Sequence, residues 1–384
     1  MLWKPFQLPS NKETVDFVDG LKTITGSGDP SSGEGIAIHI YTANASMGNK
    51  AFSNSDGDYL IVPQQGRLDI QTEVGKLVVE PGELVVIQRG HKFKADVEEL
   101  FGSRFELPEL GAIGANGLAN PRDFQSPIAH FDIDQTPWEI IYKWVPALSC
   151  ASRGAILTDT MSQKLRQDNH TPFDVVAWHG NYIPYKYDMR KFIHIGSISK
   201  DHIDPSVFTV LTAKSRTPGA PLAEFCVITA RWDVASESFR PPFYHRNCAV
   251  EMLGVVYDDP AQPAMKPFEA GGFYYQTNMA PHGPAWEDFK AASEMKLEPM
   301  RVHEHSMRKS SFYRKLLDVT DRLMIRIQML NLTDYAVNRS TTRAAFTTER
   351  FEALQPQFMK HIGEITATLK AKGLPPLDLS RAKL

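Results

Sequence analysis

A chain of 384 residues is long enough to bury two cores, and 42 Lys+Arg against 45 Asp+Glu, a formal net charge of -3, give no basic field to collect nucleic acid or an anionic membrane surface. The three cysteines, Cys150, Cys226 and Cys248, share no CxxC spacing, which speaks against a disulfide framework and a thiolate zinc site and for a reducing cytoplasm. No run approaches the ~18 apolar residues of a membrane helix, and MLWKPFQLPSNKE has no long apolar segment of the secretory kind, so the expectation is a soluble, unprocessed, cytoplasmic protein whose partner is a small molecule.

Residues 34 to 125 read as β structure. GIAIHIYTA, GDYLIVPQ, RLDIQTEVG and GELVVIQRG are short runs rich in β-branched residues, separated by Asn-Ser-Asp-Gly and Pro-Gly punctuation at roughly ten-residue intervals. That rhythm predicts a sandwich or jelly roll. His91, in QRGHKFKADVEE, has no partner ligand at a useful spacing and reads as a surface histidine. From about 126 to 190, turn residues and aromatics (TPWEIIYKW, AWHGNYIPYKY) suggest a connecting region.

A second β series follows in FTVLTAK, AEFCVITAR, CAVEMLGVVY and GGFYYQTNM. Two such series predict a mainly β chain, a cupin-like double jelly roll, although no repeat is visible residue by residue. The division expected is an N-terminal unit over 1–190, including the connecting region, and a C-terminal unit over 191–384. Near the end the period changes: Phe358, Ile362, Ile365 and Leu369 recur at spacings of four, three and four, one apolar stripe of a helix that Pro356 opens and Gly373 stops.

The stretch RPPFYHRNCAVEMLG, residues 240–254, sets His245 six residues before Glu251. A straight strand would part them by ~20 Å, and a helix would put them on different faces, so the chain must turn between them. Thirty-one residues after Glu251, NMAPHGP carries His282. Two imidazoles and one carboxylate on one face of a ferrous ion leave positions for substrate and dioxygen. Spacing alone leaves two readings open: a metal set, or turn and core residues with Glu251 alternating outward to water.

NSDGDYLIVPQ, ELPELGAIGANGLANPRDF, VVAWHGNYIPYKY, DPSVFTVLTAKS, FRPPFYHRNCAVE and NMAPHGP closely resemble, in the same order from about residue 50 to residue 290, segments of the homogentisate 1,2-dioxygenase family. The resemblance implies a bicupin fold with a C-terminal domain carrying an Fe(II) site, and O2-dependent opening of a para-dihydroxy aromatic ring, homogentisate giving maleylacetoacetate. It also implies a homotrimer or homohexamer. Carried over by position, the metal ligands fall on His245, Glu251 and His282, and the acid-base histidine on His179, which otherwise reads as a structural histidine in an aromatic loop. Tyr244, Arg246 and Asn247 flank the ligands as orienters or turn residues.

The chain departs from the family around the substrate. Where the family carries a substrate-contacting tyrosine after the glutamate, this chain has Pro260, and Tyr257 substitutes only if the loop is re-registered. Gln276 stands where the family has a second histidine, six residues before His282, and Phe273, Tyr274 and Tyr275 replace small residues. The expected substrate contacts are therefore Tyr257, Gln276 and the ligand His282. The alternatives are a dioxygenase for another substituted hydroquinone or gentisate-like ring, an oxygen-independent cupin metalloenzyme such as an isomerase, and a non-catalytic cupin.

Overall fold

The structure, a computed structural model, describes residues 2–30, 33–94, 99–101, 103–109, 119–143, 163–192, 208–218, 221–229, 231–233, 246, 248–257, 270–282, 300–302, 323–329, 336–337 and 362–375, together with positions 290, 294 and 296. The first half holds β1 (Leu2–Trp3), β2 (Leu21–Asp29), β3 (Glu34–Tyr41), β4 (Lys50–Asn54), β5 (Gly57–Ile61), β6 (Leu68–Thr72) and β7 (Gly75–Val79). It continues with β8 (Glu83–Ile87), β9 (Lys92–Lys94), β10 (Glu99–Phe101), β11 (Phe105–Glu106), β12 (Trp138–Lys143), β13 (Gln163–Asp168) and β14 (Tyr185–Asp188). The second half supplies β15 (Thr209–Lys214), β16 (Pro221–Ile228), β17 (Arg231–Asp233), β18 (Val250–Tyr257), β19 (Phe273–Gln276), β20 (Met300–Val302), β21 (Leu323–Met329) and β22 (Ala336–Val337).

The antiparallel pairs of the first half are nested. β6 pairs with β7, β5 with β8, β4 with β9 and β3 with β10, so one long hairpin is rolled up and its successive strands fall alternately into two sheets. This is a jelly roll. The second half repeats the scheme: β18 pairs with β19, β17 with β20 and β16 with β21. The two inner sheets then correspond strand for strand, one in the order β14-β8-β5-β10-β3-β2-β22 and the other β1-β19-β18-β21-β16-β15-β11. The fold is thus mainly β and cupin-like, with an internal repeat carried by topology rather than by residue identity.

Three edge strands cross the division near residue 190. β1 and β11 close the two edges of the second inner sheet, while β22 from the second half closes the first. Each exchange covers strand edges that would otherwise offer unpaired N–H and C=O groups.

The pattern of each run reports its layer. LDIQT and GKLVV alternate buried and exposed and form the outer sheet of the first roll, one face to its core and one to water. GDYLI and ELVVI are buried at every position because their sheet is covered on both sides. On one side Tyr59, Ile61, Val85 and Ile87 pack against Phe52, Ile70, Leu77 and Phe93 inside the first roll. On the other, Leu60, Leu84 and Val86 share a core with Val210, Phe225, Val250, Met252 and Tyr275 of the second inner sheet.

The region expected to connect the units carries strands as well. Trp138–Lys143 lies parallel to β4 and antiparallel to β13, extending the outer sheet, and β14 extends the inner one. Its aromatic and β-branched residues are sheet residues: Trp138 and Ile140 are buried against Phe173. At the other end of the chain, residues 362–371 are helical, with Ile362, Ile365 and Leu369 half-buried on one face. The helix closes as expected at Gly373, which has φ 66°, with Gly373 N–H donating to the Lys370 carbonyl at 3.1 Å and Leu374 N–H to the Leu369 carbonyl at 2.9 Å. Phe358 lies outside the described residues.

Trp3 is fully buried in the core between the inner sheets, pairs in register with Phe273 and meets Tyr275 edge-on at 6.3 Å. Replacing it with alanine is expected to cost about 3–5 kcal/mol, read as a lowered urea midpoint with an unchanged slope.

Candidate metal centre

Val250, Met252 and Val256 point into the core between the inner sheets. Because side chains alternate along a strand, Glu251 is turned to the opposite face, the interior of the second roll. Its cross-strand partner is Gln276 on β19, and Met252 opposes Tyr275, itself in the shared core, so Glu251, Gln276 and Tyr274 occupy one face. The turn after β19 then delivers His282. Ala280 N–H closes that turn on the Thr277 carbonyl at 3.4 Å, and Met279 adopts φ 57°, a left-handed conformation uncommon for a residue with a side chain.

His282 Nε2 lies 3.6 Å from Glu251 Oε2, and both side chains are largely buried, at 20% and 14% exposure. His282 Nδ1 lies 2.9 Å from the Ala280 carbonyl oxygen. A carbonyl only accepts, so Nδ1 carries the proton and Nε2 presents its lone pair beside the carboxylate. Two donor atoms about 2.1 Å from a common ion stand roughly 3.0–3.6 Å apart at ordinary bond angles, so the pair fits a shared first-row metal. The backbone carbonyl behind His282 is the kind of support that fixes a ligating imidazole.

Of the other residues singled out in the sequence, His245 lies outside the described residues, as do Tyr244, Asn247 and Pro260. Arg246 is exposed. Tyr257 ends the same strand as Glu251, six residues on, with a register shift between Val255 and Tyr257. At ~3.3 Å per residue, six residues of extended backbone span ~20 Å. The expectation of a Tyr257 contact with substrate stays part of the proposal below. Gln276, in contrast, faces the pair directly across the strands.

His179 sits elsewhere in the described contacts. Its Nδ1 lies 2.6 Å from the Gly180 carbonyl oxygen, and its neighbourhood belongs to the first roll: Ala177 N–H donates to the Glu73 carbonyl, and the Tyr182 hydroxyl donates to Asp58 Oδ1 at 3.2 Å. Among the described residues no contact joins His179 to Glu251 or His282. His91, expected at the surface, is 7% exposed, with its ring 5.8 Å from that of Tyr182. Burial lowers its pKa, and the charge of His179 adds to the lowering. A histidine in a Gly-flanked turn looked solvated because its neighbours in sequence are polar; the loop bearing Tyr182 covers it.

A cavity of about 290 Å³ opens between the two rolls, lined by Phe6, Ile40, Val62, Gln64, Val255 and Phe273 among others, and includes neither Glu251 nor His282. That hollow is separate from the carboxylate and imidazole in the roll interior.

Two family models cover most of the chain: homogentisate 1,2-dioxygenase N-terminal over residues 1–189 and homogentisate 1,2-dioxygenase C-terminal over residues 190–339. The chain belongs to the homogentisate 1,2-dioxygenase family. Homogentisate 1,2-dioxygenase of Drosophila melanogaster is 48% identical over 312 residues, and that of Homo sapiens 47% over 316, each alignment taking in 79% of this chain and 67% of the relative. That of Caenorhabditis elegans is 46% identical over 315 residues, 79% of this chain and 68% of the relative. The chain thus matches about two thirds of the length of these enzymes. Among solved structures, Ylba from E. coli aligns over 86% of this chain and 90% of its own at 7% identity and a TM-score of 0.28, too slight a likeness to carry an argument.

Sequence reading assigned no hydrogen bond to two residues of this member of the homogentisate 1,2-dioxygenase family. One is Tyr274, whose hydroxyl donates to Gln276 Oε1. The i, i+2 spacing on a strand was the available signal. The other is Asp58, 2% exposed, whose Oδ1 accepts from Arg89 N–H at 2.9 Å and from Tyr182 while its Oδ2 has no hydrogen-bond partner among the described residues. Burial raises the Asp58 carboxyl to about 6, against the opposing effect of those hydrogen bonds. A carboxyl whose folded pKa lies above its unfolded value near 3.8 binds more protons in the folded chain, so its stabilising contribution is largest below pH ~4 and is lost as pH rises to ~6. Asp58→Asn is expected to remove this slope, and the wild type should lose on the order of 2–3 kcal/mol more than the variant between pH 4 and 7 in urea unfolding.

Proposed function

We propose that this chain is an Fe(II)-dependent ring-cleaving dioxygenase that opens homogentisate with O2 in the manner named for its relatives. The observation that carries the reading is the Glu251–His282 pair at 3.6 Å with His282 held in the correct tautomer. His245 completes the set by its position in FRPPFYHRNCAVE. These three residues would hold ferrous iron, which would supply a Lewis-acidic centre for a ring hydroxyl and dioxygen.

The residues contribute as follows. Glu251 and His282 furnish oxygen and nitrogen donors from two elements fixed by the β18–β19 ladder, so their separation does not depend on a mobile loop alone. Packing of Val250 and Met252 into the shared core holds the strand against rotation, and the Ala280 carbonyl holds the imidazole plane. Gln276 stands beside the carboxylate and orients the ring. A proton must leave the substrate hydroxyl as the ring binds. The acid-base role expected of His179 remains part of this proposal only through the resemblance, since its described contacts lie in the first roll.

Oxygen uptake by the iron-loaded protein against homogentisate, gentisate and alkylhydroquinones, with the ring-opened product followed by absorbance, tests the reading. Homogentisate is expected to be turned over with one O2 consumed per ring, and His282→Ala or Glu251→Gln to lower bound iron and reduce turnover by at least about 100-fold. Turnover without oxygen would instead indicate an isomerase. A second reading, a dioxygenase for another substituted hydroquinone, is favoured by Gln276 in place of a histidine, and the same panel decides it.

A homotrimer or homohexamer in the cytoplasm belongs to the same proposal. It is supported by the exposed apolar side chains Ile128, Phe131, Ile133, Val175, Val176 and Trp178, too many large hydrophobics for a face left to water. Light scattering is expected to give three or six copies, and Ile133→Asp combined with Trp178→Asp to reduce that number.

A further inference from the structure

At one end of the first inner sheet three residues lie in a row. The β5–β8 pairing, Tyr59 with Ile87 and Leu60 with Val86, continues by one step to Asp58 and Gln88, and the β14–β8 pairing, Tyr185 with Val86, continues by two to Ile183 and Gln88. Asp58 and Gln88 are 2% and 7% exposed, and the period of two puts both on the face of Leu60 and Val86. Gln88 Nε2–H donates to the Ile183 carbonyl at 2.7 Å. A carbonyl only accepts, so the direction of this amide is fixed, and its Oε1 has no hydrogen-bond partner among the described residues. Asp58 is in the same condition: Oδ1 accepts from Arg89 N–H, while Oδ2 accepts from no described residue. Two buried acceptors thus stand in neighbouring cross-strand positions without a donor, which is costly for each. One proton on Asp58 Oδ2 removes both deficits, because the acid then donates and Gln88 Oε1 accepts.

We propose that Asp58 and Gln88 form a proton-operated clasp on residues 177–183: with Asp58 protonated the Gln88 amide holds the Ile183 carbonyl, and with Asp58 ionised the amide turns over, donates to Oδ2 and lets that carbonyl go. The proton passes to solvent and no other covalent bond changes. The terminal torsion of a glutamine is broad and two-fold, so both arrangements are open to it. Burial raises the Asp58 carboxyl to about 6, so the clasp is shut below that pH and opens above it. The charges acting on Asp58 are those of Arg89 and Arg104, and both favour the ionised form, as do the hydrogen bonds from Arg89 N–H and the Tyr182 hydroxyl. Tyr185, the other titratable neighbour, donates its hydroxyl to the Phe105 carbonyl, and His91 stands behind Tyr182. The segment so held carries His179 and the 92%-exposed Trp178, and is tied to the first roll also by Ala177 N–H on the Glu73 carbonyl and by Tyr182 on Asp58. The clasp lies in the first roll and does not depend on what the second one binds.

Two measurements on the full-length protein at pH ~5 and pH ~8 test this. In infrared spectra, the difference between wild type and Asp58→Asn is expected to show the carbonyl band of a protonated carboxylic acid at the lower pH and to lose it at the higher. Hydrogen exchange read by mass spectrometry, with residues 68–79 of the outer sheet as internal reference, is expected to show residues 177–183 of the wild type exchanging about tenfold faster, relative to that reference, at the higher pH than at the lower. Asp58→Asn, whose amide donates to Gln88 Oε1 at every pH, is expected to keep the segment protected at both, and Gln88→Leu to leave it unprotected at both. Absence of the acid band at the lower pH, as when a buried water donates to Gln88 and to an ionised carboxyl, overturns the proposal. So does exchange of residues 177–183 that follows the reference at both pH values. That comparison is made within the wild type, so it decides the matter whether or not a variant folds.

Discussion

The core shared by the two inner sheets governs the rest of the molecule. β18 has one face buried against the first roll through Val250, Met252 and Val256, and alternation then leaves Glu251 no choice but the interior of its own roll. A one-residue slip would send Glu251 into an apolar core without a partner, at a cost of several kcal/mol, and would bring Met252 to the place of the carboxylate. The same constraint acts on β19, where Tyr275 enters the shared core and Tyr274 and Gln276 turn toward the carboxylate. Hydrophobic packing between the units therefore sets the register on which the polar chemistry depends.

The two rolls use one topology to different ends. In the first, β5 stands where β18 stands in the second, and its interior-facing residues Tyr59 and Ile61 meet Phe52 and Phe93. Phe17, Phe52, Tyr59 and Phe93 contact one another at ring centroid distances of 5.6–6.3 Å, so aromatic side chains occupy the volume that a ligand would need. In the second roll the corresponding face bears Glu251, Tyr274 and Gln276. Filling the first interior turns that roll into a scaffold, and the exchanged strands β1, β11 and β22 tie its edges to its twin.

How much of this was legible in the sequence depends on the range of the interaction. GELVVIQRG and RLDIQTEVG announce strands by composition and turn punctuation, and the difference between continuous and alternating apolar residues even distinguishes a covered sheet from one facing water. The C-terminal helix stop at Gly373 is equally local. The exchanged edge strands are two residues long in β1, β11 and β22, too short for any periodicity, and only their partners define them. His91 was misread because the residue that buries it, Tyr182, lies ninety-one positions away.

The Glu251–His282 approach shows the limit of spacing arguments from the other side. Thirty-one residues separate them, and no period links them; the resemblance singled them out, while the antiparallel β18–β19 pairing explains why they meet. Once Gln276 is fixed opposite Glu251, only a six-residue step separates it from His282, and the Thr277–Ala280 turn with Met279 in its left-handed conformation occupies most of that step. A turn that holds a side-chain-bearing residue in this region stores about 1 kcal/mol of strain or more, which surrounding contacts must offset. The hydrogen bond from His282 to the Ala280 carbonyl is one such contact, and it joins the strained turn to the imidazole that the turn delivers. Backbone strain, imidazole tautomer and imidazole position are therefore linked within a single seven-residue segment, and a change at Met279 that relaxes the turn would be felt at Nε2 before it was felt by the fold.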